Sequence, residues 1–262
     1  MGKLLAFALF GFALCNSADA KVVTQDVAYK DGATTLNGYL AYDDGMKDKR
    51  PGILVVHEWW GPGEYARDYA RELAGKGFTA LAVDMYGRTA ADSKEAGELM
   101  NGLMSKPEVM KARFGAARKV LTSHPTVDPK RIGAVGFSMG SSVVLDMARV
   151  GEDLAGVVSV YGGLATKTPA QAGAMKSRVL VLHAVGDPFV KPESIDAFRK
   201  EMQAANVSYR FVDFPGVKHG FANPEATANG KKFDMPIAYD ADADRKARAE
   251  IVKFFSELFD KR

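Results

Sequence analysis

Arg131-Ile132-Gly133-Ala134-Val135-Gly136-Phe137-Ser138-Met139-Gly140 is the stretch whose reading decides the fold. The apolar run up to Phe137 reads as a buried strand. Ser141 to Val150 reads as the helix that follows it. Between the two, Ser138 stands on a turn with Gly136 and Gly140 on either side. A missing Cβ at each glycine lets such a turn close tightly and holds the serine in a strained conformation with its hydroxyl exposed.

Working outward, strands and helices alternate. Val22 to Tyr29 and Thr34 to Tyr42 alternate polar and apolar residues around an Asp31-Gly32 turn, as in an edge hairpin. Gly52 to Val56, Thr79 to Met85, Arg131 to Phe137, Leu154 to Tyr161, Arg178 to His183 and Val207 to Phe214 read as strands of a buried sheet. Helices are expected over Glu64–Gly75, Ser93–Leu103, Glu108–His124, Met139–Val150, Pro192–Ala205 and Ala241–Leu258. This order predicts an α/β protein with an eight-stranded, mostly parallel sheet and helices on both faces. Gly162 to Ser177 is too short for a large lid domain, so an open site is expected.

The first twenty residues read differently. Lys3, the apolar run Leu4 to Leu14 and the small-x-small Ala18-Asp19-Ala20 have the layout of a secretory signal peptide. The reading is a leader over 1–20, a single domain over 21–262, and a periplasmic or secreted protein with no stable membrane insertion after cleavage. Cys15, the only cysteine, lies in that leader. The mature chain would then have no thiol for a disulfide, a nucleophile or a metal site.

Composition sets further bounds. The 262 residues are 47% hydrophobic and 26% charged, ordinary for a globular chain long enough for one large core. A formal charge of +3 with no basic block argues against a nucleic-acid partner. The cations of Lys111 to Lys119 alternate with apolar residues, as on a solvated helix face.

A serine on a strand-turn-helix between glycines is the nucleophile elbow of α/β-hydrolases, whose triad runs nucleophile, acid, histidine along the chain. Downstream of Ser138, Asp187 follows one strand and His219 follows the last, so both sit at the sheet edge that holds the elbow. A serine hydroxyl needs a base to take its proton, and histidine, with an unperturbed pKa of about 6.5, suits that task. Asp187 would orient the ring and stabilise its charged form. The N–H groups of Met139 and Trp59 are the expected oxyanion donors. Trp60, Tyr86, Tyr161, Phe189 and Phe221, on loops at the same edge, are expected in the pocket. His57-Glu58 starts like a zinc motif, but residue 61 is Gly and the pair ends a strand, so no metal is implied. No Walker lysine pattern or G-x-G-x-x-G occurs, and no cofactor is expected.

His57-Glu58-Trp59-Trp60-Gly61, Asp84-Met85-Tyr86-Gly87-Arg88, Gly136 to Gly140, Gly186-Asp187-Pro188 and His219-Gly220-Phe221 together resemble the dienelactone hydrolase family. Asn223-Pro224 and Ala238 to Ala241 extend the similarity from about Val22 to the C-terminus. The resemblance implies a small cofactor-free hydrolase of esters or lactones. It implies that Glu58 helps prime the nucleophile and that Arg88 holds a substrate carboxylate. A solvated strand-end carboxylate and a surface ion pair remain the alternatives for these two. The chain departs from dienelactone-cleaving members in two ways: Ser138 replaces their cysteine, and no arginine follows His219, where the stretch is Phe221-Ala222-Asn223. A glutamate-primed thiolate mechanism therefore does not carry over. The reading is a serine carboxylic-ester hydrolase acting on a small molecule, as a monomer or homodimer. An acyltransferase or peptidase using the same triad, and a catalytically silent binding protein, are the alternatives.

Overall fold

The computed structural model describes residues 21–260. The expected signal peptide, with Cys15, lies outside the described residues. The strands are β1 (Val22–Asp31), β2 (Thr34–Asp43), β3 (Arg50–Val56), β4 (Thr79–Val83), β5 (Val127–Phe137), β6 (Gly156–Val160), β7 (Arg178–Ala184) and β8 (Tyr209–Phe214). The helices are α1 (Glu64–Gly75), α2 (Ser93–Met104), α3 (Pro107–Ser123), α4 (Met139–Arg149), α5 (Pro192–Ala204), α6 (Ala226–Phe233) and α7 (Ala241–Phe259).

All eight strands form one sheet in the order β1-β2-β4-β3-β5-β6-β7-β8. β1–β2 and β2–β4 pair antiparallel, and every later pair is parallel. The buried strands are apolar on both faces, so alternate residues feed two cores. Leu54 and Val56 pack with Phe114 and Leu121 of α3, Val143 of α4 and Phe198 of α5 on one face. Ile53 and Val55 pack with Tyr69 and Leu73 of α1 and Phe255 of α7 on the other.

Beyond shifts of one or two residues at element ends, two elements differ from expectation. β5 starts at Val127 rather than Arg131, because Val127 pairs with Arg50 before an irregularity restores register at Gly52↔Ile132. Helix α6 was not foreseen. Its sequence, ATANGKKF, has an internal Asn-Gly and no apolar stripe, so its packing comes from tertiary neighbours.

The order β4-β3-β5 places a topological switch between β3 and β5. The chain leaves β3 for one side and returns on the other, which opens a crevice at the carboxyl ends of these strands. The loop after β3 and the turn after β5 flank it.

Candidate active site

The elbow is held by sterics and by aromatic packing beneath it. Ser138 has φ 52°, in the left-handed region where side chains are strained. A Cβ on Gly136 would stand 2.0 Å from the Gly140 carbonyl oxygen, and one on Gly140 would stand 2.4 Å from that of Val56. Only glycine lets the start of α4 close onto β5 and β3. Below the turn, Phe137 meets Tyr69 edge to face at 4.7 Å and Tyr65 at 5.0 Å. Each such pair adds about 0.5–1.5 kcal/mol beyond burial, enough to pin the strand end against the strain above it.

Three predicted side chains meet there. The Ser138 hydroxyl lies 2.8 Å from His219 Nε2, and His219 Nδ1 lies 2.7 Å from Asp187 Oδ2. The Asp187 side chain is fully buried, and its Oδ1 accepts the Phe189 N–H at 2.8 Å. A carboxylate so held favours the ring tautomer with its proton on Nδ1, leaving Nε2 free to accept from the serine. Tyr161 and Phe189 pack edge-on against the imidazole at 5.3 and 5.0 Å and fix its plane. Among the described residues, the backbone N–H groups of Met139 and Trp59 donate to no protein acceptor.

Ser138, His219 and Met139 open on a cavity of about 410 Å³. Trp59, Trp60 and Phe189 line it as expected from their loops. Tyr86, Tyr161 and Phe221 do not. Tyr86 is buried against His57, ring centroids 4.9 Å apart. Tyr161 turns inward, its hydroxyl 3.4 Å from that of Tyr65, and Phe221 packs on Tyr161 and Phe214 in the core. Loop position alone did not reveal which way these rings point. The cavity wall comes instead from Met100 of α2, from Ala226 and Asn229 of α6, and from Met235, Pro236 and Ile237 beyond it. Ile237 reaches the site through a parallel bridge to His219. Phe233 of α6 packs on Trp60 at 5.2 Å. No periodic signal marked this segment.

Glu58 is buried on the cavity wall, so the solvated alternative does not describe it. Its Oε2 accepts the Asn223 carboxamide at 2.5 Å, and no hydrogen bond joins it to Ser138. Burial pushes its carboxyl above the usual carboxylate range, against the opposing pull of the Asn223 bond and of His219. Asn223 stands in the stretch where the resemblance led one to look for an arginine.

Arg88 lies outside the cavity lining. It is exposed and paired with Glu95, whose carboxylate also accepts the Ala91 N–H. Glu95 in turn donates its N–H to the Asp92 side chain that caps α2. Arg88 is thus tied to a helix cap, the surface ion pair left open by the sequence. Among the described residues, no group of three or more His, Cys, Asp or Glu side chains forms a metal-ligand set, and no helix is long and apolar enough to cross a membrane.

The chain matches known proteins over most of its length. It is 28% identical to Protein usf of Aquifex pyrophilus over 204 residues, 76% of this chain and 87% of that one. The solved dienelactone hydrolase-like promiscuous phosphotriesterase P91, from metagenomic libraries, superposes with a TM-score of 0.84 at 33% identity, covering 90% of this chain and 98% of that one. A structure called m3DLH gives 0.85 at 33%, covering 91% and 99%. The model of the dienelactone hydrolase family matches residues 36–259. With an eight-stranded hydrolase sheet and this match across nearly all the described residues, the chain belongs to the dienelactone hydrolase family.

Proposed function

We propose that this family member is a serine hydrolase that cleaves uncharged carboxylic esters or lactones through an acyl-enzyme on Ser138. The observation that carries the reading is the unbroken chain Ser138–His219–Asp187 opening on a cavity beside two backbone N–H groups that have no acceptor among the described residues. As Oγ attacks the ester carbonyl, His219 Nε2 takes the hydroxyl proton, and the Asp187 carboxylate stabilises the imidazolium. The Met139 and Trp59 N–H groups bind the developing oxyanion. The C–O bond to the leaving alcohol then breaks, and the alcohol takes the proton from Nε2. Water repeats the sequence with His219 as base, releasing the acid and restoring Ser138.

The lining supports the substrate class. Trp59, Trp60, Met100, Met235 and Ile237 present an apolar wall, and no Lys or Arg among the described residues lines the cavity. A substrate carboxylate would be desolvated there without a cationic partner, which is costly. The buried Glu58–Asn223 pair fills a polar corner of the wall without adding a cation.

A fluorophosphonate probe and a panel of aryl esters and lactones, with and without a carboxylate, test the reading. Labelling that vanishes in Ser138→Ala, with turnover of the uncharged members, is expected. Folded wild type that neither labels nor turns over any member would overturn it.

A second reading concerns phosphotriesters, on which the 33% identical P91 enzyme acts. Ser138 would displace the aryl alcohol and keep the phosphoryl group. One equivalent of alcohol per protein is the outcome for a serine that His219 cannot relieve, and continued release marks true turnover.

A further inference from the structure

His57 follows the last residue of β3, is fully buried and takes no part in the Ser138 relay. Its ring bridges two backbone segments. Nε2 faces the Met85 N–H at 3.2 Å, and Nδ1 faces the Glu58 carbonyl oxygen at 2.5 Å. A backbone N–H only donates and a carbonyl only accepts. The two bonds together require a neutral ring with its proton on Nδ1. The segment it leans on is itself fixed, because the Tyr86 and Gly87 N–H groups both donate to the buried Asp84 carboxylate, at 2.8 and 2.7 Å.

The consequence lies one peptide on. The Glu58 carbonyl and the Trp59 N–H belong to one planar trans unit and point in opposite directions. Whatever holds the Glu58 oxygen therefore aims the Trp59 N–H. The Gly61 N–H reaches the same oxygen at 3.3 Å, a weaker hold. The elbow abuts this segment, since a Cβ on Gly140 would stand 2.6 Å from the His57 carbonyl oxygen. The two candidate oxyanion donors thus sit on touching stretches of backbone.

We infer that His57 is a positioning residue: its Nδ1–H on the Glu58 carbonyl orients the Glu58–Trp59 peptide so that the Trp59 N–H faces the oxyanion. This rests on the reading of Ser138 as nucleophile and of Trp59 as a donor. An oxyanion donor acts in the transition state and hardly in the ground state, so the effect belongs in kcat.

The test uses the full chain. His57→Leu removes the donor, and His57→Asn keeps an N–H near the place of Nδ1. On a neutral aryl ester, His57→Leu should lower kcat about 10- to 100-fold, somewhat less than deleting a donor outright, with KM little changed. His57→Asn should recover part of that loss. Affinity for a trifluoromethyl ketone, which forms the tetrahedral adduct, should fall in step with kcat. Wild-type kcat in His57→Leu, or equal losses in both variants with KM raised, would overturn the inference. If neither variant folds, nitrogen-15 NMR of histidine-labelled wild type decides. At neutral pH a bare Nε2 and protonated Nδ1 are expected, whereas an Nε2–H tautomer or a charged ring would overturn it. Fluorophosphonate labelling separates the two layers. Wild type that fails to label removes the nucleophile reading, and normal labelling with wild-type kcat in His57→Leu removes only the role of His57.

Discussion

The Asn223 carboxamide donates to the Glu58 carboxyl at 2.5 Å, joining positions 165 residues apart on the cavity wall. The bond ties the loop that carries Trp59 to the loop that carries His219. It also sets a titration. Burial raises the Glu58 carboxyl, with the Asn223 bond a smaller opposing effect. A carboxyl raised on folding binds more protons folded than unfolded, so stability falls as the pH climbs from the ordinary carboxylate value through the raised one. Glu58→Gln cannot ionise and keeps an oxygen for Asn223. It should gain on wild type across that window and run parallel to it on either side. Denaturant unfolding at a series of pH values measures this, and a constant difference throughout would contradict it.

Asp187→Asn keeps the volume of the orienting group and changes its chemistry. The amide can donate, which invites the wrong tautomer of His219. A loss in kcat of about 10³–10⁴-fold is expected, with the melting temperature and KM near wild type. Steady-state kinetics on a neutral aryl ester would show it, and a loss under about tenfold would mean that Asp187 is not the orienter.

Two glycine substitutions should act in opposite directions. Gly140→Ala drives a Cβ to 2.4 Å from the Val56 carbonyl oxygen, where backbone must move. It should cost about 3 kcal/mol or more and abolish probe labelling. Gly115 sits inside α3 with nothing within 4 Å of a new Cβ. Gly115→Ala should stabilise by about 0.5–1 kcal/mol, read by denaturant midpoint, with activity unchanged.

Arg88→Ala removes an exposed ion pair at the cap of α2. A stability change within about 1 kcal/mol is expected. Rates on carboxylated and neutral esters should change by the same factor. A selective loss on the carboxylated members would show that the arginine reaches the substrate after all.

Met100 reaches the cavity from α2 and Ile237 from the segment bridged to His219. Met100→Trp should shorten the range of acyl chains accepted, raising KM for long esters and sparing acetate. Ile237→Ala should extend it. A chain-length series for each variant measures the shift, and identical profiles would place the acyl group elsewhere.

Much of this protein was legible in its sequence because the relevant signals are local. Apolar runs such as Gly52–Val56 report burial on both faces, and steric exclusion at Gly136 and Gly140 acts within five residues of Ser138. The order of Ser138, Asp187 and His219 at strand ends follows from the direction of parallel strands, so their side-chain types and places could be named together. Only tertiary structure decided where ambivalent side chains point. Tyr161 and Phe221 stand on loops at the site yet turn into the core, because neighbouring rings from distant elements offer them contacts that the loop itself does not. The sequence left Arg88 open to a substrate or to an ion pair, and the fold pairs it with Glu95. Helix α6 and the Asn223–Glu58 bond had no local signature, since both exist only once the segment after β8 folds back over the loop after β3.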